Sequence, residues 1–274
     1  MQVKKLKKSK NNNAYLVGPF LGELNWEILR FAPYIIHLKK KKRQNKIIVF
    51  TRPSRFDLYG QYADIFVPLN IPVDDIGDQV RFGHKQFNIS RYNLLIDALY
   101  KKYQKRFEID KHIYPDIENF YYKLKWQFPR DLMDYNFRPR KQNKEFIDEY
   151  IDTNKVIFVN FKFSEGMQVV SPLEKMGYFC IFLNMFTEDF LVSDKQNISF
   201  LGCIIELLKR CDFIISKFDS HITYLSLLLE TPVISVGKIA SSDSISLINP
   251  KNTMIINCDN AVDGIEIWKE NKCE

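Results

Sequence analysis

Residues 211–237 read CDFIISKFDSHITYLSLLLETPVISVG, and the order of residue types in this stretch decides the fold. Phe213 to Ser216 form the short apolar run that a buried parallel strand needs. Asp219 and Ser220 can cap a helix, Ile222 to Leu229 supply its apolar face, and Pro232 stops it. Val233 to Val236 make a second strand, ended by Gly237, where a backbone or a ligand can come close. The spacing predicts a βαβ unit with its polar residues crowded into the turn between first strand and helix. In open parallel sheets that turn lies at the carboxyl end of the strand. Helix N-termini there offer free N–H groups and partial positive charge to a phosphate.

Working outward, KVIFVNF at 155–161 is a strand rich in β-branched and aromatic residues. Strands are expected at 178–183, 198–201 and 253–256, and helices at 203–210 and 261–270. Toward the amino end, AYLVG at 14–18 is a first buried strand. A loop at 19–25, a helix at 26–39, a strand at 46–51 and a short helix leading to a strand at 65–68 follow. A helical, aromatic-rich region occupies about 90–135, with its clearest helix over 92–107. RPRKQ at 138–142 and the polar stretch after it read as a crossing to a second unit. Alternating strands and helices on both sides of this crossing predict an α/β protein of two Rossmann-like lobes facing a cleft. The boundaries are 1–140 and 141–274.

The chain has 274 residues, enough for two ordinary domains with full cores. No apolar run reaches the 18 to 20 or so residues that span a bilayer, and the Lys-rich start is not followed by a signal-type apolar stretch. A cytoplasmic protein is expected, with basic segments able to meet the inner membrane surface. The five cysteines stand at 180, 203, 211, 258 and 273 without metal-ligand spacing, as free thiols do. A formal charge of +7 favours an anionic partner such as a nucleotide, a nucleic acid or an acidic lipid surface. The lysines of residues 1–13 and of LKKKKR at 38–43 are equally a solvated tail and a capped helix end.

The string D-S-x-x-x-x-L-S-L-L-L-E-T-P-V-I-S-V-G from Asp219 to Gly237 resembles the nucleotide-sugar segment of glycosyltransferases of the two-domain GT-B architecture. The likeness is to the heptosyltransferase-like branch and covers about the last third of the chain. That group carries Asp-Ser/Thr-Gly, two residues, then His. Here Asp219 and Ser220 match, while His221 stands in the place of Gly and Tyr224 in the place of His. The resemblance implies a nucleotide-sugar donor held by the second lobe, with no separate cofactor.

The loop GPFLGELNWEI at 18–28 joins the first strand to the first helix and makes Gly18 and Gly22 candidate close-approach positions. It is neither G-x-G-x-x-G nor a Walker loop. In the resembled architecture this loop faces the cleft and often provides an acidic base. The resemblance therefore implies Glu23 as the base that takes the acceptor's proton, with Glu27 second. An acid in the first turn of a helix is equally favoured by the dipole. In KFSEG, Lys162 can neutralise a departing diphosphate and Ser164 can donate to one of its oxygens. The resemblance implies a basic residue in this loop. Asp219 or Ser220 caps the following helix, while His221 can donate to a diphosphate oxygen. Glu206 can hold a ribose hydroxyl or sit on a solvated helix face. No zinc spacing, H-E-x-x-H, D-x-D or G-x-S-x-G is present, and a metal-independent transferase is expected.

The leading function is transfer of a sugar from a nucleotide-sugar to a hydroxyl. The acceptor is a saccharide or lipid-linked glycan, with a hydroxymethylated base of phage DNA as the other candidate. The alternative is an inactive nucleotide- or nucleic-acid-binding α/β protein.

Overall fold

The computed structural model describes residues 14–20, 24, 27–60, 62–69, 90–113, 137, 139–153, 155–161, 163–182, 198–217, 221–237 and 254–272. Two parallel sheets organise them. The first holds β1 (Ala14–Val17), β2 (Lys46–Thr51), β3 (Ile65–Pro68) and β4 (Ile109–Ile113) in the order β3-β2-β1-β4. A π-helical turn (Glu27–Phe31) runs into α1 (Ala32–Lys41), a 3-10 helix (Pro53–Leu58) follows β2, and α2 (Ser90–Phe107) precedes β4. The second sheet holds β5 (Val156–Asn160), β6 (Phe179–Phe182), β7 (Cys211–Ser216), β8 (Val233–Val236) and β9 (Ile255–Cys258), ordered β6-β5-β7-β8-β9. Its helices are α3 (Lys141–Tyr150) ahead of β5, α4 (Phe163–Lys175), α5 (Phe200–Leu208), α6 (His221–Leu228) and α7 (Ala261–Lys272).

Side-chain alternation along the strands divides the apolar residues among three cores. Val17, Ile47, Val49, Val156, Phe158, Ile214 and Val233 turn into a central core that takes in both sheets. Leu16, Ile48 and Phe50 face a core under α2. Ile157, Val159, Phe213, Ile215 and Ile234 meet Trp268 of α7 on the far side of the second sheet. Phe31, Ile35 and Tyr59 of the first half share the central core with Ile204, Tyr224 and Leu225 of the second. Each large apolar side chain buried in this way contributes about 1.5–3 kcal/mol, so the halves are joined by packing as well as by chain.

Four expectations are corrected. Residues 198–201 are not a strand, because Ser199 caps α5 by accepting from the Gly202 N–H at 2.9 Å. The last strand is Ile255–Cys258, two residues later than read. The polar stretch after RPRKQ is the helix α3, whose Phe146 and Ile147 reach the central core. Ile109–Ile113, IDKHI, is a strand that charge disguised.

Strand order fixes where a ligand can sit. In the second sheet the chain leaves β5 toward β6 on one side and returns to β7 on the other. The topological switch point therefore lies between the carboxyl ends of β5 and β7. In the first sheet the same reasoning puts it between β1 and β4.

Candidate active site at the strand ends

At the β5/β7 switch point the last residues of both strands are polar and buried. Asn160 Nδ2 donates to Ser216 Oγ at 2.8 Å, and Ser216 Oγ lies 2.9 Å from Thr223 Oγ1 in the first turn of α6. This row ties the two strands to the helix that follows them. The Lys217 N–H reaches the Asn160 carbonyl at 3.4 Å, extending the ladder one residue past β7. The Lys217 ammonium lies 2.6 Å from Glu165 in the first turn of α4. The expected Asp219, Ser220 and Lys162 fall outside the described residues. Ser164 is in the first turn of α4.

At the β1/β4 switch point Gly18 has φ of +96°, and a Cβ there would overlap the carbonyl oxygen of Phe50. Close approach of the β2 backbone requires this glycine. The Gly18 N–H donates to the Ile113 carbonyl at 2.9 Å, and His112 Nε2 donates to the Gly18 carbonyl at 2.8 Å. The His112 ring stacks on Tyr100. Burial lowers its pKa, and the bond to Gly18 opposes that.

Gly22 and Glu23 lie outside the described residues. Glu27 has no exposed surface. The Tyr59 hydroxyl donates to its Oε1, and Arg55 Nε is 3.4 Å from its Oε2. Burial raises the Glu27 pKa against the lowering effects of Arg55, Tyr59, Arg52 and Thr51. A carboxylate enclosed in this way has no route to an acceptor hydroxyl. Glu27 instead fastens the turn after β1 to the 3-10 helix.

The halves meet beside this pair, where α6 packs on the π-helical turn. Burial, helped by the nearby Arg55 guanidinium, pushes His221 down to about 4. Its imidazole is therefore neutral at pH 7 and can offer one N–H but no charge. The unfolded chain holds a proton on this histidine between about pH 6.5 and 4, where the folded chain does not, so its contribution to stability falls as pH drops through that window. His221→Gln is expected to remove an acid-side loss of no more than about 3 kcal/mol. Urea unfolding of both proteins from pH 7 to 4 checks this, and parallel curves would contradict it.

A second polar junction is built on Asp57, two residues after Arg55 in the 3-10 helix. The Asp57 carboxylate accepts from Arg140 N–H at 2.9 Å, Arg140 Nη2 at 3.0 Å and Asn143 Nδ2 at 3.1 Å. It also accepts from the Ser199 hydroxyl. One carboxylate thus faces the N-termini of α3 and α5 together, where helix dipoles favour negative charge.

Two expected site residues lie apart from the strand-end group. Tyr224 is buried in the central core. Glu206 is in the last turn of α5, toward the amino end of β7, paired with Lys209 at 3.1 Å. Sequence reading passed over Asn160, Arg52, Arg55 and Asp57, and gave Ser216, Lys217 and Thr223 no role of their own. A signal existed for most of them. Asn160 and Ser216 are the polar last letters of apolar strand runs, and TRPSRFD follows a strand directly.

No family model matches the chain, and no curated protein sequence matches it. Solved structures do. A glycosyl transferase family 9 structure from Veillonella parvula covers 96% of this chain and 92% of its own, at 15% identity and a TM-score of 0.53. E. coli ADP-heptose lps heptosyltransferase II covers 89% and 90%, at 11% identity and 0.53. E. coli heptosyltransferase WaaC with ADP covers 94% and 99%, at 10% identity and 0.51. Among the described residues no helix is long and apolar enough to cross a membrane. With its two parallel α/β sheets, each with a switch point at the carboxyl ends of two neighbouring strands, the chain has the GT-B fold, in the form seen in the heptosyltransferases.

Proposed function

We propose that this protein transfers a sugar from a nucleotide-sugar donor to a hydroxyl of a saccharide or lipid-linked glycan, without a metal ion. The observation that carries this reading is the buried row Asn160, Ser216 and Thr223 at the β5/β7 switch point. It fixes the entry of α6 where a diphosphate would lie, and His221 stands beside it with a neutral N–H. The fold neighbours include one named for ADP-heptose and one solved with ADP, which makes ADP-sugars the first donors to try.

In this reading the second lobe holds the donor through residues 162–165 and 216–221, and the helix dipole with nearby lysines meets the charge on the leaving diphosphate. Glu23 removes the proton of the acceptor hydroxyl as that oxygen attacks the anomeric carbon.

The test is a thermal-shift screen against ADP-, UDP-, GDP-, CMP- and dTDP-sugars. A ligand that binds only the folded chain stabilises it by about 2.7 kcal/mol at a hundred times its Kd, a shift of several degrees in a chain of this size. One nucleotide family should raise Tm. Glu23→Gln should then keep that shift and lose turnover. A shift with none of the nucleotides would overturn the donor site. A shift and turnover both unaffected by Glu23→Gln would overturn the base.

A further inference from the structure

The amino ends of the first sheet's strands carry a concentration of positive charge, at the opposite end of those strands from the site described above. The parallel register sets Lys46 of β2 and Ile109 of β4 on either side of Ala14, so three strand starts form one row. Helices α1 and α2 run back against the strands on opposite faces of the sheet, and both end at this row. Lys41, Lys42, Arg43, Lys46, Lys105 and Arg106 are exposed around it. Among the described residues the acids at this end are Asp64, which Lys39 holds at 2.5 Å, Glu108 and Asp110. The sequence adds to the excess, since residues 1–13, which lead directly into Ala14, contain five lysines and no acid.

Helix capping accounts for only part of this charge. The dipole acts within the last turn of a helix, whereas Lys42, Arg43 and Lys46 lie beyond α1. Like charges gathered on one face repel one another, and an anionic surface relieves that repulsion. We propose that this face docks the protein on an anionic lipid bilayer. Two features favour a bilayer over a nucleic acid. The helix ends at this face are carboxyl ends, which offer carbonyls rather than the N–H groups that clamp a phosphate. Tyr103 and Phe107, the aromatic side chains of α2 nearest the face, pack against the core under α2 and are not set out for stacking on bases. What is left is a broad set of flexible cations, mostly lysines, which a charged bilayer attracts without demanding a fixed geometry. The β1/β4 switch point is at the other end of the strands, about 17 Å away along the six residues of β2, so docking leaves it open.

Sedimentation of the full chain with vesicles of equal parts phosphatidylglycerol and phosphatidylcholine tests the inference, with pure phosphatidylcholine vesicles and a duplex DNA oligonucleotide as comparisons. The parent should bind the anionic vesicles at about 0.1 M salt and leave them at about 1 M, where the Debye length has fallen from about 10 to about 3 Å. Lys41→Gln, Lys42→Gln and Arg43→Gln together should weaken binding about a hundredfold, at about fivefold for each cation near the surface. Lys105→Gln with Arg106→Gln should weaken it about twenty-five-fold on the same scale. Lys144→Gln, Lys175→Gln and Lys269→Gln together remove as much charge from exposed positions of the second lobe and should leave binding nearly unchanged. Urea unfolding confirms that each variant is folded.

No binding of the parent to the anionic vesicles overturns the inference, as does equal binding to phosphatidylcholine alone. An equal loss in the second-lobe variant would make the attraction one of net charge and overturn the face. Tighter binding of the duplex through the same residues would overturn the bilayer. The thermal shift given by a nucleotide should be the same in every variant. Absence of that shift in the parent would overturn the proposed function and leave this inference standing.

Discussion

Asp57→Ala is expected to cost about 3–5 kcal/mol, the range seen when one member of a buried charged network is removed. Total stability of a domain is only about 5–15 kcal/mol, so the variant should unfold at markedly lower urea. Arg140 is 34% exposed on its side chain and can turn to water. Asn143 and Ser199 are buried and cannot. Their donors are left without the carboxylate, and each such orphan costs about 1–3 kcal/mol. Gly202 explains how tightly the junction is built. A Cβ there would overlap Asn143 Nδ2 and come within 2.8 Å of Asp57 Oδ2, so Gly202→Ala should cost about 1–3 kcal/mol by overpacking. In an Asp57→Ala background one of those obstacles is gone. The double variant should therefore be more stable than the sum of the single losses predicts. Strict additivity in urea unfolding would show that the two residues do not share the junction.

That junction was illegible in the sequence for a simple reason. Asp57 meets Arg140 across 83 positions and Ser199 across 142, and neither propensity nor periodicity carries information over such separations. The strands of the second sheet were legible because both faces of a parallel sheet are covered, which gives continuous apolar runs such as VIFVN and FIIS. β4 was not, since Asp110 and Lys111 are exposed on a strand that is at the sheet's edge among the described residues and break the run. Helix α5 was misjudged at its start because Ser199 stands between Ile198 and Phe200, and an apolar stretch hid a cap. The candidate site was expected at strand ends. The residues named for it came from loops and helices, while the polar row joins the last residues of β5 and β7 to α6.

Arg55→Met should be as damaging as the loss of Asp57, about 3–5 kcal/mol, because it leaves the fully buried Glu27 carboxylate without its guanidinium. Its distinguishing mark is a pH dependence. Burial already raises the Glu27 pKa in the fold, and Arg55 is the strongest influence lowering it. Without Arg55 the folded value rises further. Between the unfolded value and that raised value the folded chain holds a proton that the unfolded chain has lost, so stability falls as pH rises, by at most about 1.4 kcal/mol per pH unit. The deficit of the variant relative to the parent should therefore be smaller at pH 5 than at pH 8. Relief of His221, which Arg55 helps to depress, acts in the same direction, and repeating the comparison in a Glu27→Gln background separates the two. Replacing both partners, as Glu27→Leu with Arg55→Met, should recover most of the loss, since apolar groups of similar volume can substitute for a buried pair at little cost. The pair lies where α6 meets the π-helical turn. The double variant thus asks whether these charges are needed for the fold or for the site. Restored stability with lost nucleotide-dependent turnover would assign the pair to orienting Glu23 and His221. Restored stability with full turnover would leave it a packing device alone.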